Sequence, residues 1–194
     1  MIIVSVQFLT VSPGTRAASA NDAYERVGRL EALEQFEYFW KEESVFSQWY
    51  KVTFVVDGIK YNCAEQYMMH QKAELMGDTK TAIKILKATS PKKQKALGRK
   101  IQNFDSDLWD SNCIGIVKKG NIAKFSSNNR LKQRLYDTCP KILVEASPYD
   151  TIWGIGLKED DPAAWQKDTW RGQNLLGQVL TDVRDEMMKT DSAI

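Results

Sequence analysis

Two charged residues inside one short stretch define the chemistry this sequence could perform. In Asn62-Cys-Ala-Glu-Gln-Tyr-Met-Met-His-Gln-Lys-Ala-Glu-Leu-Met-Gly77, Glu65 and Lys72 stand seven residues apart. On a helix they project from one face, about 10 Å apart along the axis. Met68 and Met69 lie between them. A carboxylate and an ammonium too far apart to pair, over a floor of thioethers, can hold a small charged molecule between them. The stretch also carries helix punctuation: Asn62 as N-cap, Glu65 at the third helical position where a carboxylate answers the cap, and Gly77 as a left-handed stop. That punctuation supplies the plainer reading, in which Glu65 is half of a capping box and Lys72 a solvated flank. Further polar residues fall at element ends, namely Lys124, Asp150, Asn174 and Arg184. Taken singly, each reads as a cap, a turn former or a surface charge.

The elements that must position these groups follow from periodicity and turn chemistry. Residues 2–11 alternate as a short strand, and Ser12-Pro-Gly14 ends it. A helical pattern capped by Asn21 or Asp22 runs through Tyr24, Val27, Leu30, Leu33 and Phe36 to about Phe39. The dense aromatic cluster from Phe36 to Tyr50 reads as core. Val52–Val56, Asp57-Gly58 and Ile59–Tyr61 form a hairpin with a primed turn that delivers the chain into the Glu65 helix. Asp78 caps a helix to about Ala88, and Ser90-Pro91 opens another with proline at its first position. Lys80 to Lys100 holds eight basic residues and no acidic one, a solvated surface or a face for phosphates. From Asp107 to Lys124 the pattern is helical but weakened by Gly115 and Gly120. Asn128 or Asn129 starts a helix ending near Thr138, Lys141–Glu145 reads as a buried strand, and Ile152–Leu157 as a second one relaxed by glycine. An acidic, tryptophan-bearing loop, 158–170, is expected to be mobile and to close over a ligand through Trp165 or Trp170, before a last helix from Asn174 to about Met188. No repeat or linker divides the chain. The expectation is one α+β domain, mostly helical around a small sheet.

Bulk properties exclude several classes. A net charge of +2 over 194 residues sets up no global field for nucleic acid or membrane. Three cysteines without a CxxC fit a reducing compartment rather than a disulfide framework. The single histidine, His70, argues against a Cys/His zinc site. The first ten residues lack the basic segment of a signal peptide, and no apolar run reaches transmembrane length. The expectation is an intracellular monomer, cytoplasmic or, in a eukaryote, also nuclear, with no membrane partner.

A set of short motifs resembles the NADAR (YbiA-like) family. They include Phe46-Ser-Gln-Trp49, Ala64-Glu-Gln-Tyr67, Gln71-Lys-Ala73, Leu97-Gly-Arg99, Ala123-Lys-Phe125 and Leu143-Val-Glu-Ala146. Asp150-Thr-Ile-Trp-Gly-Ile-Gly-Leu157, Asn174-Leu-Leu-Gly177 and Val183-Arg184 continue the series in family order. The resemblance implies a YbiA-like fold for residues 36–190, with residues 1–35 as an extension of strand plus helix outside it. Ser47-Gln48-Trp49 stands where the family commonly has Ser-Asn-Phe, Gln66 where histidine is frequent, and Gln173 where lysine is common. These departures bear on substrate choice more than on reaction type.

What the resemblance implies is a metal-independent hydrolase of N-glycosidic bonds to ribose, needing no cofactor. Two substrate classes come with it: ADP-ribose on guanine of DNA or RNA, favoured here, and ribosylamino-pyrimidine phosphates of riboflavin synthesis. A non-catalytic module binding ADP-ribose or NAD is the alternative of a different class. In both substrates C1′ of ribose is joined to an exocyclic nitrogen, so cleavage needs a proton for the leaving base and stabilisation of charge at C1′. The expected catalytic residues are Glu65 for acid–base work, Lys124 for a Schiff base, its ammonium disfavoured by the flanking Ala123 and Phe125, and Asp150 for a ribose hydroxyl or for orienting the lysine. The expected binding residues are Ser47, Gln48, Trp49, Lys72, Trp153, Gly154, Asn174 and Arg184, with Trp49 or Trp153 stacking on the base and a lysine with Arg184 on phosphate.

Overall fold

The computed structural model describes residues 20–193. Among them are seven α-helices and four short strands: α1 (Ala20–Gln35), β1 (Phe36–Phe39), β2 (Phe54–Val56), β3 (Ile59–Tyr61), α2 (Ala64–Leu75), α3 (Thr79–Lys87) and α4 (Pro91–Gly98) in the first half. α5 (Ser106–Ser126), α6 (Asn129–Tyr136), β4 (Ile142–Glu145) and α7 (Leu175–Asp191) follow, with two single 3₁₀ turns between β4 and α7. The strand expected at residues 2–11 lies outside the described residues. The architecture is a single α+β domain. Its small sheet is two separate ladders, β1 parallel to β4 and β2 antiparallel to β3.

α2 is the hub, packing against α3, α4 and α5 together. Eight of its twelve residues are buried, so it has almost no solvent face. The close approach of α5 explains a residue that looked like a weakness. A Cβ on Gly120 would fall 2.3 Å from the Tyr67 ring, so glycine is required where α5 crosses α2. The hairpin turn is as expected: Asp57 and Gly58 take φ of 50° and 79°, the pair of positive values a primed turn needs.

Three expectations fail here. The first helix stops at Gln35, because Phe36–Phe39 pairs in parallel with Ile142–Glu145 instead of continuing the helix. Val27, Leu30 and Leu33 consequently face solvent, and α1 packs through the buried Ala32 and through Gly28 against Trp165. The α2 cap is shifted by one residue. Cys63, not Asn62, is the N-cap, its Sγ accepting from the Gln66 N–H, and Gln66 returns its Oε1 to the Asn62 N–H at 2.8 Å. The capping box is therefore completed by Gln66, and Glu65 is left free of it. Finally, Ile152–Leu157 is a folded turn, not a strand. The Asp150 side chain accepts from the N–H groups of Ile152 and Trp153, and Gly156 bonds back to the Asp150 carbonyl at a φ of 68°.

The two tryptophans of the acidic loop pack against the cluster around Phe36 and Val144. The Trp165 and Trp170 indoles donate to the carbonyls of Glu159 and Ala164, and the Trp170 ring lies 5.4 Å from that of Phe36. Both tryptophans anchor the loop to the β1 side of the domain.

Candidate active site

A cleft of about 820 Å³ opens between α2, α4, α5 and the turn after β4. That is ample for a ligand of nucleotide size. Three segments bring most of the expected residues to it. Ser47, Gln48 and Trp49 enter from the loop before β2, Glu65 and Lys72 from one face of α2, and Asp150 and Trp153 from the Asp150 turn. Met68 and Met69 form part of its floor, as the spacing on α2 required.

Glu65 has the most unusual environment. It is 4% exposed, and its Oε1 has no hydrogen-bond partner although it lies against an open cleft. Burial pushes its carboxyl up to about 7. Lys95, the Trp49 side chain and Arg99 pull it back, and Asp150 adds to the rise. The backbone is fixed around it, since the Glu65 N–H donates to the Gln48 carbonyl at 2.9 Å. The Gln48 amide is held in turn by Asn121, whose Nδ2 donates to its Oε1 at 3.0 Å.

Lys72 lies over the rings of Phe104 and Trp109, with Nζ 4.1 Å and 5.2 Å from their centroids. Burial lowers its pKa, against the attraction of Glu65 and Asp110. Asp150 pairs with Lys95 at 3.9 Å.

Four expected site residues lie elsewhere. Lys124 is fully buried and is absent from the cleft wall. Its Nζ donates to the Ser47 carbonyl at 2.8 Å and faces the Phe125 ring at 5.0 Å, and burial brings its pKa down to about 7. The lowered pKa was legible in its apolar neighbours, but the ammonium points beneath the Ser47 loop. Asn174, at a left-handed φ of 55°, spans β4: its Oδ1 accepts from Glu145 N–H at 2.9 Å and its Nδ2 donates to Leu143 C=O at 3.0 Å. Arg184 is 2% exposed, donates to the Lys141 carbonyl, Thr138 and Asp185, and does not line the cleft. Gly154 is a packing position, where a Cβ would sit 2.8 Å from the Glu145 carbonyl oxygen.

Sequence reasoning missed three groups in the cleft wall, Glu145, Lys95 and Arg99. Glu145 ends β4 with its Oε2 buried and unpartnered, and its carboxyl is pushed up to about 8 by burial and by Asp150, with Lys95 opposing. The motif Leu143-Val-Glu-Ala146 contained it, and the basic run contained the other two. Of the eight basic residues of that run, only Lys92, Lys95 and Arg99 border the cleft or the hollow beside it. Among the described residues no group of three or more His, Cys, Asp and Glu side chains is arranged to hold a metal ion.

The sequence profile of the NADAR domain matches residues 38–188. The chain belongs to the NADAR family. It is 44% identical over 147 residues to N-glycosidase R617 of Acanthamoeba polyphaga mimivirus, covering 73% of this chain and 86% of that one. The NMR structure of E. coli YbiA superposes with a TM-score of 0.67 at 25% identity, covering 81% of this NADAR chain and 87% of YbiA. A more distant match, 32% identical over 107 residues, is to the maize chloroplastic riboflavin biosynthesis protein PYRR, and covers 53% of this chain and 15% of that protein. Family and relatives place the chain among the N-glycosidases. No helix of the described residues is long and apolar enough to cross a membrane.

Proposed function

We propose that this NADAR protein hydrolyses the bond between ribose C1′ and an exocyclic base nitrogen, with ADP-ribose on guanine of nucleic acid as its substrate. The observation that carries the reading is Glu65, a buried carboxyl with an unsatisfied oxygen beside an open cleft that also holds three cations, Lys72, Lys95 and Arg99. An unpaired buried acceptor costs about 1–3 kcal/mol. Such a cost is commonly borne where a ligand completes the site.

In this reading the two carboxyls divide the work. Glu145, the more strongly raised, keeps its proton and delivers it to the departing base nitrogen as the C1′–N bond breaks. Glu65 takes a proton from the water that forms the new C1′–O bond. The products are the free amino base and a ribose bearing a C1′ hydroxyl. Trp49 and Trp153 wall the base and sugar, Asp150 takes a ribose hydroxyl, and Lys72, Lys95 and Arg99 take the diphosphate. Water is favoured over a Schiff base on Lys124, because that amine is sealed beneath Ser47. Lys72, half-buried and lining the same cleft as Glu65, is the lysine within reach if an imine does form.

The riboflavin-type substrate is the second reading, and the match to the maize protein favours it. Separate incubations with an ADP-ribosylated guanine oligonucleotide and with a ribosylamino-pyrimidine phosphate discriminate the two. Release of ADP-ribose from the first at the higher kcat/KM supports the proposal. Preference for the second transfers the assignment, and binding of ADP-ribose with no turnover of either supports a sensor.

A further inference from the structure

The cleft continues past Asp150 into a second hollow of about 590 Å³. Trp49, Lys95, Arg99, Glu145, Tyr149 and Asp150 are among the residues that line both, so a ligand seated at Glu65 can extend into the hollow without leaving the protein. The outer wall is built differently from the cleft. Parallel pairing of β1 with β4 brings Trp40, just after β1, beside Tyr149, in the turn after β4. Their ring centroids are 6.1 Å apart at 53°. Tyr149 is 86% exposed, so this pair keeps aromatic surface in water at the mouth of a candidate active site. Lys41 places its Nζ 4.8 Å over the Trp40 ring from a backbone φ of 65°, a left-handed conformation that costs a lysine energy. Lys51 and Lys92, both exposed, complete the wall. Among the described residues none of these three lysines takes part in a salt bridge.

Glu42 and Glu43 share the wall, so the hollow is not a simple anion well. An exposed ring and a half-buried one, interleaved with lysines free of salt bridges, are the kind of surface that binds single-stranded nucleic acid, where bases stack on aromatics and phosphates follow the cations. A duplex keeps its base faces stacked internally and offers the rings nothing. We propose that the hollow docks the single-stranded polynucleotide flanking the modified base, with a neighbouring base on Tyr149 and Trp40 and the backbone along Lys41, Lys51 and Lys92. This rests on the proposed substrate but can fail independently of it, because binding of an unmodified strand needs no turnover.

The test measures fluorescence anisotropy of a labelled, unmodified twelve-nucleotide single strand, and of its duplex, against the full chain at several salt concentrations. The single strand is expected to bind at least about ten-fold more tightly than the duplex, and Tyr149→Ala to raise its Kd about ten-fold. The double variant Lys51→Gln/Lys92→Gln is expected to flatten the salt dependence by about one to two slope units. It should raise KM for an ADP-ribosylated guanine oligonucleotide while leaving KM for the ADP-ribosylated mononucleoside unchanged. Equal affinity for strand and duplex, no measurable binding, or a Kd unmoved by Tyr149→Ala overturns the docking surface. Absence of turnover alongside tight, Tyr149-dependent strand binding overturns the proposed substrate and leaves the surface standing.

Discussion

Glu65 and Lys124 occupy two regions that look alike by burial and differ in what each group faces. Both are almost completely enclosed, and enclosure displaces both pKa values to about 7, one from below and the other from above. Lys124 is on the buried side of α5, where its ammonium donates to the Ser47 carbonyl and has aromatic rings around it. Glu65 lies at the cleft wall with one oxygen bonded to nothing. A displaced pKa therefore does not distinguish the chemical group from the structural one. The unmet hydrogen bond and the direction of the side chain do.

Removing each group in turn tests that distinction. Glu65→Gln, nearly isosteric, is expected to lower kcat by about 10²–10⁴-fold, the usual contribution of a positioned acid or base. Its melting temperature should stay near or above that of the wild type, because a buried ionisable group is gone and the capping box belongs to Gln66. Lys124→Met leaves the Ser47 carbonyl unpartnered, at a cost of about 1–3 kcal/mol in a denaturant titration. The Ser47–Trp49 loop then loosens and KM rises several-fold with little change in kcat. A collapse of kcat in Lys124→Met with normal stability would return the lysine to the chemistry.

Stability against pH sharpens the same contrast, since the two groups carry opposite signs. The Glu65 carboxyl binds its proton more tightly folded than unfolded, so its contribution is full below its ordinary value of 4.5 and is lost as pH rises to about 7. Glu145 extends that loss to about 8. Lys124 binds its proton less tightly when folded, so its contribution grows as pH rises from about 7 to its ordinary value of 10.5. Denaturant unfolding across pH 4–11 should thus show Glu65→Gln flattening the first limb and Lys124→Met the second. Trp153→Ala is expected to have the smallest effect on this contrast. It should weaken ADP-ribose binding while leaving the acid–base limbs where they were, which a titration at several pH values would show.

How far these regions were legible in the sequence follows the same line. Helix starts marked by Asp78, Ser90-Pro91 and Asn128 stand where expected, because each cap is satisfied locally. The α2 cap was misplaced by one residue because Glu65 and Gln66 can both complete a capping box. A tertiary demand decides between them: the Gln66 amide also satisfies the carbonyls of Ile85, Leu86 and Ala88 at the end of α3, which a carboxylate cannot do. The face shared by Glu65 and Lys72 was legible from spacing alone. The orientation of Lys124 was not, since apolar neighbours in sequence predict burial without saying toward what. Asn174 has the sequence of an N-cap, yet its amide is used by β4, 29 and 31 residues away. Glu145 escaped notice because a carboxylate closing a strand looks like an ordinary polar end until its partners prove to be missing.

The most direct test is the pH profile of kcat/KM on an ADP-ribosylated guanine substrate, in the wild type and in both variants. An ionised Glu65 acting as base and an unprotonated Lys124 acting as nucleophile each give activity that rises through about pH 7, so the wild-type curve alone cannot separate them. Glu145 adds a fall near pH 8. The rise is expected to persist in Lys124→Met and to be absent from the residual activity of Glu65→Gln. A rise that survives Glu65→Gln and disappears in Lys124→Met would contradict the assignment of the chemistry to the cleft carboxylate.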